Sequence, residues 1–271
     1  MTNMTDSPYL VEPGKKFNLK GVRTDDTGPF ADKKAAKAAS EASFKALGDL
    51  QELLYAEAKH ALLVVLQAMD TGGKDGTIEK VFSAVDPQGC IVTSFKVPTS
   101  LELAHDYLWR VHAAVPPKGM IGIFNRSHYE SVLVERVKKL VPKDVWSRRY
   151  QHINEFERLL ADEGVTIVKF FLHISKDEQK RRLQSRLEDK EKLWKFNPGD
   201  LKERERWDDY QEAYQDALNE CSTKHAPWYV VPADHKWFRN WVVSDVLVRT
   251  LKGLKMRYPS AAPGLDRIVI K

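Results

Sequence analysis

Apolar and polar residues alternate in two distinct textures along the chain. Five short continuous apolar runs stand out: Ala61–Leu66, extending to Met69, then Ile91–Phe95, Met120–Phe124, Thr166–Ile174 and Trp228–Val231. Runs of this length without polar alternation predict strands buried on both faces. Between them lie segments with apolar residues every three or four positions. Phe44, Leu47, Leu50 and Leu54 define one helix within Ala31–His60. Ser100–Val115, Arg126–Leu140 and Arg148–Glu163 predict three more. Strands that alternate with helices predict an α/β sandwich of three layers around a five-stranded, mostly parallel sheet.

No second core is visible, so residues 1–271 are expected to form a single domain. Residues 1–32 are rich in Pro and Gly and predict an N-terminal arm over the domain surface, or a partly disordered one. Residues 33–175 carry the first four strands. Residues 176–209 are long, charged and studded with aromatics, which predicts a helical lid. Residues 210–271 complete the core. Trp237–Trp241 and Val242–Leu254 read as core or interface.

Composition narrows the class. The 271 residues are 42% hydrophobic and 30% charged, which excludes a disordered chain. No apolar run reaches the roughly 18–20 residues of a membrane span, and Met1–Leu10 is too polar for a signal peptide. Cys90 and Cys221 are too few for a disulfide scaffold and fit a reducing cytoplasm. The net charge of +5 permits an anionic ligand without requiring one.

In parallel sheets ligands bind beyond the carboxyl ends of the strands. The first strand there runs into Asp70-Thr71-Gly72-Gly73-Lys74-Asp75-Gly76-Thr77, which opens a helix. A strand, a glycine-rich loop, a lysine and a helix N-terminus form a phosphate cradle of Walker A type. The match to G-x-x-x-x-G-K-[ST] is incomplete: Ala68 replaces the first glycine and Asp75 the hydroxyl residue. Carboxylates repel phosphate, so Asp70 in such a loop points to a bound divalent metal; an acid at Asp75 is also favoured by the helix dipole alone. The third strand leads into Asn125-Arg126-Ser127-His128-Tyr129-Glu130. Arg126 suits phosphate, Asn125 could ligate metal without charge, and Glu130 could restore a carboxylate or meet a nucleotide. His128 could be catalytic, but reads rather as a packed or hydrogen-bonded side chain.

Together these two segments resemble the polyphosphate kinase 2 family, as do Gln179–Asp189, Lys192–Phe196 and Trp207–Tyr214; the likeness covers about Phe30 to Leu254. The resemblance implies a P-loop-kinase-like fold that moves phosphoryl groups between inorganic polyphosphate and nucleotides with Mg²⁺, for which Mn²⁺ can substitute. It places Asp70 on the metal, Lys74 and Arg126 on phosphates with the Gly72–Thr77 backbone, and Arg182, Arg186 and Lys195 in the closing lid. Much of the family has Asp at the position of Asn125. The Asn-Arg-Ser-His-Tyr-Glu form resembles the subgroup that accepts AMP and ADP, so conversion of AMP to ADP to ATP, reversibly, is expected, as is a homo-oligomer (dimer or tetramer).

In the lid, Arg182, Arg186 and Lys190 share one helical face and could meet a row of phosphates, while Trp194 and Phe196 are expected to pack. Lys33, Lys34, Lys37, Lys138, Lys139, Lys143, Arg148 and Arg149 are further candidates for a polyanion track. No specific nucleic-acid signature is present. The rival readings are an ATP-dependent nucleoside monophosphate kinase and a non-enzymatic polyanion-binding protein with a degenerate P-loop.

Overall fold

The computed structural model describes residues 7–265 and 268–270. Its strands are β1 (Ala61–Ala68), β2 (Cys90–Ser94), β3 (Ile121–Asn125), β4 (Val165–His173) and β5 (Trp228–Pro232). All four pairings are parallel, in the order β2-β3-β1-β4-β5. The sheet is therefore wholly rather than mostly parallel. β1 lies at its centre, and every residue of β1 is buried, which explains its unbroken apolar run.

The helices are α1 (Lys37–Glu57), α2 (Lys74–Val81), α3 (Ser100–Leu103), α4 (Trp109–His112), α5 (Val134–Val137), α6 (Lys143–Asp162), α7 (Lys176–Glu188), α8 (Gly199–Glu205), α9 (Trp207–Cys221) and α10 (Lys236–Gly253). α1, α2 and α10 pack together, as do α5, α6 and α9. Side-chain alternation on β4 separates the two groups. Lys169 reaches Glu157 of α6 and Phe171 stacks on Tyr214 of α9 at 4.0 Å, whereas Phe170 meets the Tyr229 ring instead.

Several expected helices are shorter. α1 starts at Lys37 because the Asp32 side chain and carbonyl first hold a turn with Ala35 and Ala36. Ser100–Val115 divides into two single turns; a capping box at Thr99 starts α3, and Asp106 accepts from the Leu108 amide to restart the chain. Arg126–Leu140 opens on the left-handed backbone of Arg126 (φ +64°), which delays its first turn, and then runs as a 3₁₀ turn (His128–Ser131) and the single turn of α5. In the lid, α7 ends at Glu188, so Lys190 leaves the face shared by Arg182 and Arg186. Trp194 is exposed rather than packed, because the turn that carries it stands off the core.

The described part of the N-terminal arm docks on the free edge of β5. Val11 N donates to Trp228 O at 2.9 Å and Val230 N to Tyr9 O at 2.9 Å, while Val11 and Leu19 are buried. Covering an edge strand satisfies its free backbone groups. Residues 1–6 of the expected arm lie outside the described residues. α10 buries Val242, Val243, Val246, Leu247 and Leu251, which assigns that segment to the core.

Candidate active site

The loop after β1 turns sharply. Gly72 N donates to Met69 O at 2.9 Å, and Thr71 (φ +63°) and Gly73 (φ +99°) take left-handed backbone. Gly73 caps α2, and the Thr77 amide and hydroxyl both return to its carbonyl, at 2.9 and 3.0 Å. The free amides of the first turn of α2 thus face the mouth of the loop. The half-buried Lys74 folds back, Nζ donating to Ala68 O at 3.3 Å. Burial, and then the Arg126 charge, push its ammonium below the usual range, against Asp70, Glu130 and Asp75.

β3 delivers the second half of the site. Arg126 N donates to Leu66 O at 3.1 Å, which ties the turn after β3 to β1. Arg126 Nη2 lies 3.3 Å from Asp70 Oδ1, and Nη1 lies 3.6 Å from Glu130 Oε2. Burial opposes the Arg126 charge, but Glu130 and Asp70 outweigh it. Burial conversely raises the Glu130 carboxyl above its ordinary value in spite of Arg126 and Lys74. Asn125 Nδ2 donates to Asp75 Oδ1 at 2.6 Å. An aspartate at position 125 would oppose two carboxylates there, so the amide matches this neighbour.

A buried polar network backs the turn. Ser127 Oγ accepts from Gln67 Nε2 and from the Tyr129 amide, each at 3.2 Å. Glu157 meets His128 Nε2 at 3.1 Å, the Tyr129 hydroxyl at 2.9 Å and Lys169 Nζ at 2.5 Å. His128 is thus a packed, hydrogen-bonded residue. Cys221 is buried, its carbonyl accepting from Lys169 at 2.8 Å.

The lid lies on the loop. Gln179 Nε2 donates to Asp70 O at 3.0 Å, and Arg204 Nη1 holds Gln179 Oε1 at 2.9 Å. Arg182 donates to Glu178, Thr71 O, Ala233 O and Asp234 O. It clamps the loop to the end of β5 rather than joining an exposed basic row. Arg186 donates to Lys195 O at 3.1 Å and lies 3.6 Å from Asp200; Lys195 itself is exposed, with Nζ over the Trp194 ring at 5.0 Å. Sequence reasoning missed two residues. Asp200 feels Asp70, Arg186 and Arg126, and its carboxyl is raised by burial and Asp70. Arg239, on the first turn of α10, lies against Gly73. No local motif marks either one. Among the proposed track residues, Lys37, Lys138, Arg148 and Arg149 each pair with a carboxylate.

A parallel sheet in this order, with a phosphate loop at its central strand and a basic cluster beyond it, defines a phosphotransferase of the P-loop kind. Residues 30–259 match the model of the family Polyphosphate kinase 2 (PPK2), and the chain belongs to that family. It is 60% identical over 264 residues to the AMP/ADP-polyphosphate phosphotransferase of Meiothermus ruber, covering 97% of this chain and 99% of that one. It is 44% identical to the ADP-polyphosphate phosphotransferase of Rhodopseudomonas palustris over 94% of this chain and 92% of the relative. The crystal structure of Polyphosphate Kinase 2 from Arthrobacter aurescens TC1 superposes with a TM-score of 0.91 at 45% identity, over 95% of this chain and 93% of that one.

Proposed function

We propose that this enzyme transfers phosphoryl groups reversibly between inorganic polyphosphate and nucleotides, taking AMP to ADP and ADP to ATP, with Mg²⁺. The observation that carries the reading is the meeting of Asp70, Lys74, Arg126 and Glu130 on one phosphate loop, in a chain of this family. The Meiothermus relative, named for both AMP and ADP, supports the inclusion of AMP.

The donor set suits Mg²⁺. Among the described residues no group of three or more His, Cys, Asp or Glu forms a closed metal site. Mg²⁺ is commonly held by one or two carboxylates together with waters and substrate phosphates. Asp70 would hold it, with Glu130 or the Asn125 amide oxygen as the second protein group. When bound, the ion would neutralise negative charge on the phosphate groups.

The remaining chemistry belongs to the side chains. Lys74 and the backbone amides of Gly73–Gly76 hold one phosphate chain; Thr77, expected among the phosphate-binding residues, instead gives its amide and hydroxyl to the Gly73 carbonyl. Arg126, kept charged by Asp70 and Glu130, faces the charge that develops on the moving phosphoryl group. The attacking atom is a nucleotide phosphate oxygen, already ionised at neutral pH, so no general base is needed. Arg186 and Lys195 approach from the lid, whose closure keeps water from the phosphoryl group.

One assay tests the reading. The protein is incubated with AMP or ADP, Mg²⁺ and polyphosphate, and ATP is measured. ATP formation is expected. Activity with ATP and AMP but none with polyphosphate would instead make it a monophosphate kinase, and salt-sensitive polyphosphate binding without turnover would make it a binding protein.

A further inference from the structure

The phosphate loop has two flanks of opposite character. On the Arg126 side, cations and carboxylates are interleaved: Arg126 lies between Asp70 and Glu130, and Asp200 stands nearby. On the α10 side the balance is different. Arg239 is 2% exposed, and its hydrogen bonds among the described residues run only to the Asn240 amide oxygen, from Nε at 3.0 Å and Nη2 at 2.8 Å. No carboxylate among the described residues pairs with Arg239 or with Lys236 one turn before it. Burial and the neighbouring Arg182 charge lower the Arg239 guanidinium to about 9, and no acid offsets them. Glu178, the nearest acid acting on Lys236, is already engaged by Arg181 and Arg182. Asp234 is turned to Ser175 N and Thr24 Oγ1.

The guanidinium rests on the loop itself. A Cβ at Gly73 would fall 1.9 Å from Arg239 Nη1 and 3.5 Å from Arg182 Nη1, and one at Gly76 would fall 3.7 Å from Arg239 Nη2. Gly73 is thus glycine both for its left-handed backbone and to admit Arg239. A buried cation without a counter-charge is destabilising unless a ligand supplies one, and α10 adds the positive end of its dipole at the same place.

We infer that Arg239, with Lys236 and the remaining donor of Arg182, forms a subsite with cations in excess, its one nearby acid Glu178 already engaged, that grips the polyphosphate chain, while the nucleotide lies on the Arg126 flank. This rests on the function proposed above. A nucleotide–metal complex needs carboxylates to hold its metal; a bare run of phosphates needs cations and is repelled by acids. Arg239 is therefore a polyphosphate-binding residue that no local motif marks.

The test compares Arg239→Met and Lys236→Ala with the parent enzyme, using ADP, Mg²⁺ and polyphosphate. Loss of a charge-assisted arginine–phosphate contact is expected to raise the polyphosphate KM about ten- to hundredfold in Arg239→Met. The exposed Lys236 is expected to give a rise of a few fold on replacement, and the ADP KM stays within about twofold in both. Calorimetric titration of tripolyphosphate without nucleotide should weaken in parallel. The ligand-free melting temperature of Arg239→Met should hold or rise, because an uncompensated buried cation is gone; a purely structural arginine would lower it. An unchanged polyphosphate KM, or a rise confined to ADP, overturns the assignment. If Arg239→Met does not fold, Lys236→Ala decides alone: an unchanged polyphosphate KM there is equally fatal. Failure of the parent enzyme itself to make ATP from polyphosphate refutes the proposed function, whereas an active parent with unaffected variants refutes only the subsite.

Discussion

Replacing Lys169 by methionine isolates the buried network behind the Arg126 turn. Lys169 is fully buried, and its three N–H donors meet Glu157 Oε2, the Tyr129 hydroxyl and the Cys221 carbonyl at 2.5, 2.7 and 2.8 Å. Lys169→Met keeps most of the side-chain volume and removes the charge. Glu157, also fully buried, is then left with His128 and Tyr129 as its partners. Removing one member of a buried ion pair is destabilising by about 3–5 kcal/mol, because the other charge stays desolvated. A native domain has only about 5–15 kcal/mol in total. For a chain of this size each kcal/mol moves the melting temperature by roughly 2 °C, so a drop of about 6–10 °C is expected by scanning calorimetry. The double variant Lys169→Met/Glu157→Gln removes both charges, and it should recover more than half of that drop. A single variant within about 2 °C of the parent would refute the reasoning. So would additive losses in the double variant, since coupled charges cannot act independently.

Other consequences follow from the same geometry. Asp70→Asn should lower turnover by orders of magnitude while circular dichroism and melting stay near those of the parent; near-parental turnover in the folded variant would remove Asp70 from the metal. Gly73→Ala places a methyl group on the Arg239 guanidinium and in a left-handed backbone. It should lower the melting temperature by several degrees and raise the polyphosphate KM, and a fully active, equally stable variant would contradict the packing. Burial lowers His173 to about 4 from an ordinary 6.5. The unfolded chain therefore takes up a proton near pH 6.5 and the folded chain only near pH 4. Stability from this group is complete above pH 6.5 and falls as the pH drops through that window, by about 3 kcal/mol in all. In urea titrations at pH 7.5 and pH 5, His173→Phe should flatten that dependence; an identical slope in both proteins would assign it elsewhere.

How much of this was legible beforehand depended on where the physics is local. Four of the five strands fall within a few residues of their apolar runs because a strand covered on both faces tolerates no polar alternation; β2 is found at its run too, but as an edge strand with Ile91 and Val92 exposed it is not covered on both faces as expected. The phosphate loop was legible for a similar reason: glycines, a lysine and a helix start must be contiguous to cradle an anion. Arg126 and Glu130 followed from their place at a strand end. The short turns around residues 100–112 and 126–137 were not legible, because apolar spacing cannot register a left-handed residue such as Arg126 or the Asp106 turn. Arg182 was legible as basic and lid-borne, but not as a clamp whose donors close on the Thr71 and Ala233 carbonyls.

The sequence by itself determined the layered α/β class, the strand count, the glycine-rich turn into α2 at Gly72–Thr77 and the likeness to a family, since each rests on residues adjacent in the chain or on a repeating period. Only the tertiary structure decided which cations keep a carboxylate and which do not. Lys138 and Arg149 are paired with acids that folding brings to them, Glu203 and Glu135. Arg239, far along the chain, comes to lie on Gly73 with no acid among the described residues paired to it. Charge balance at a site is a sum over neighbours in space, and the order of residues along the chain does not contain that sum.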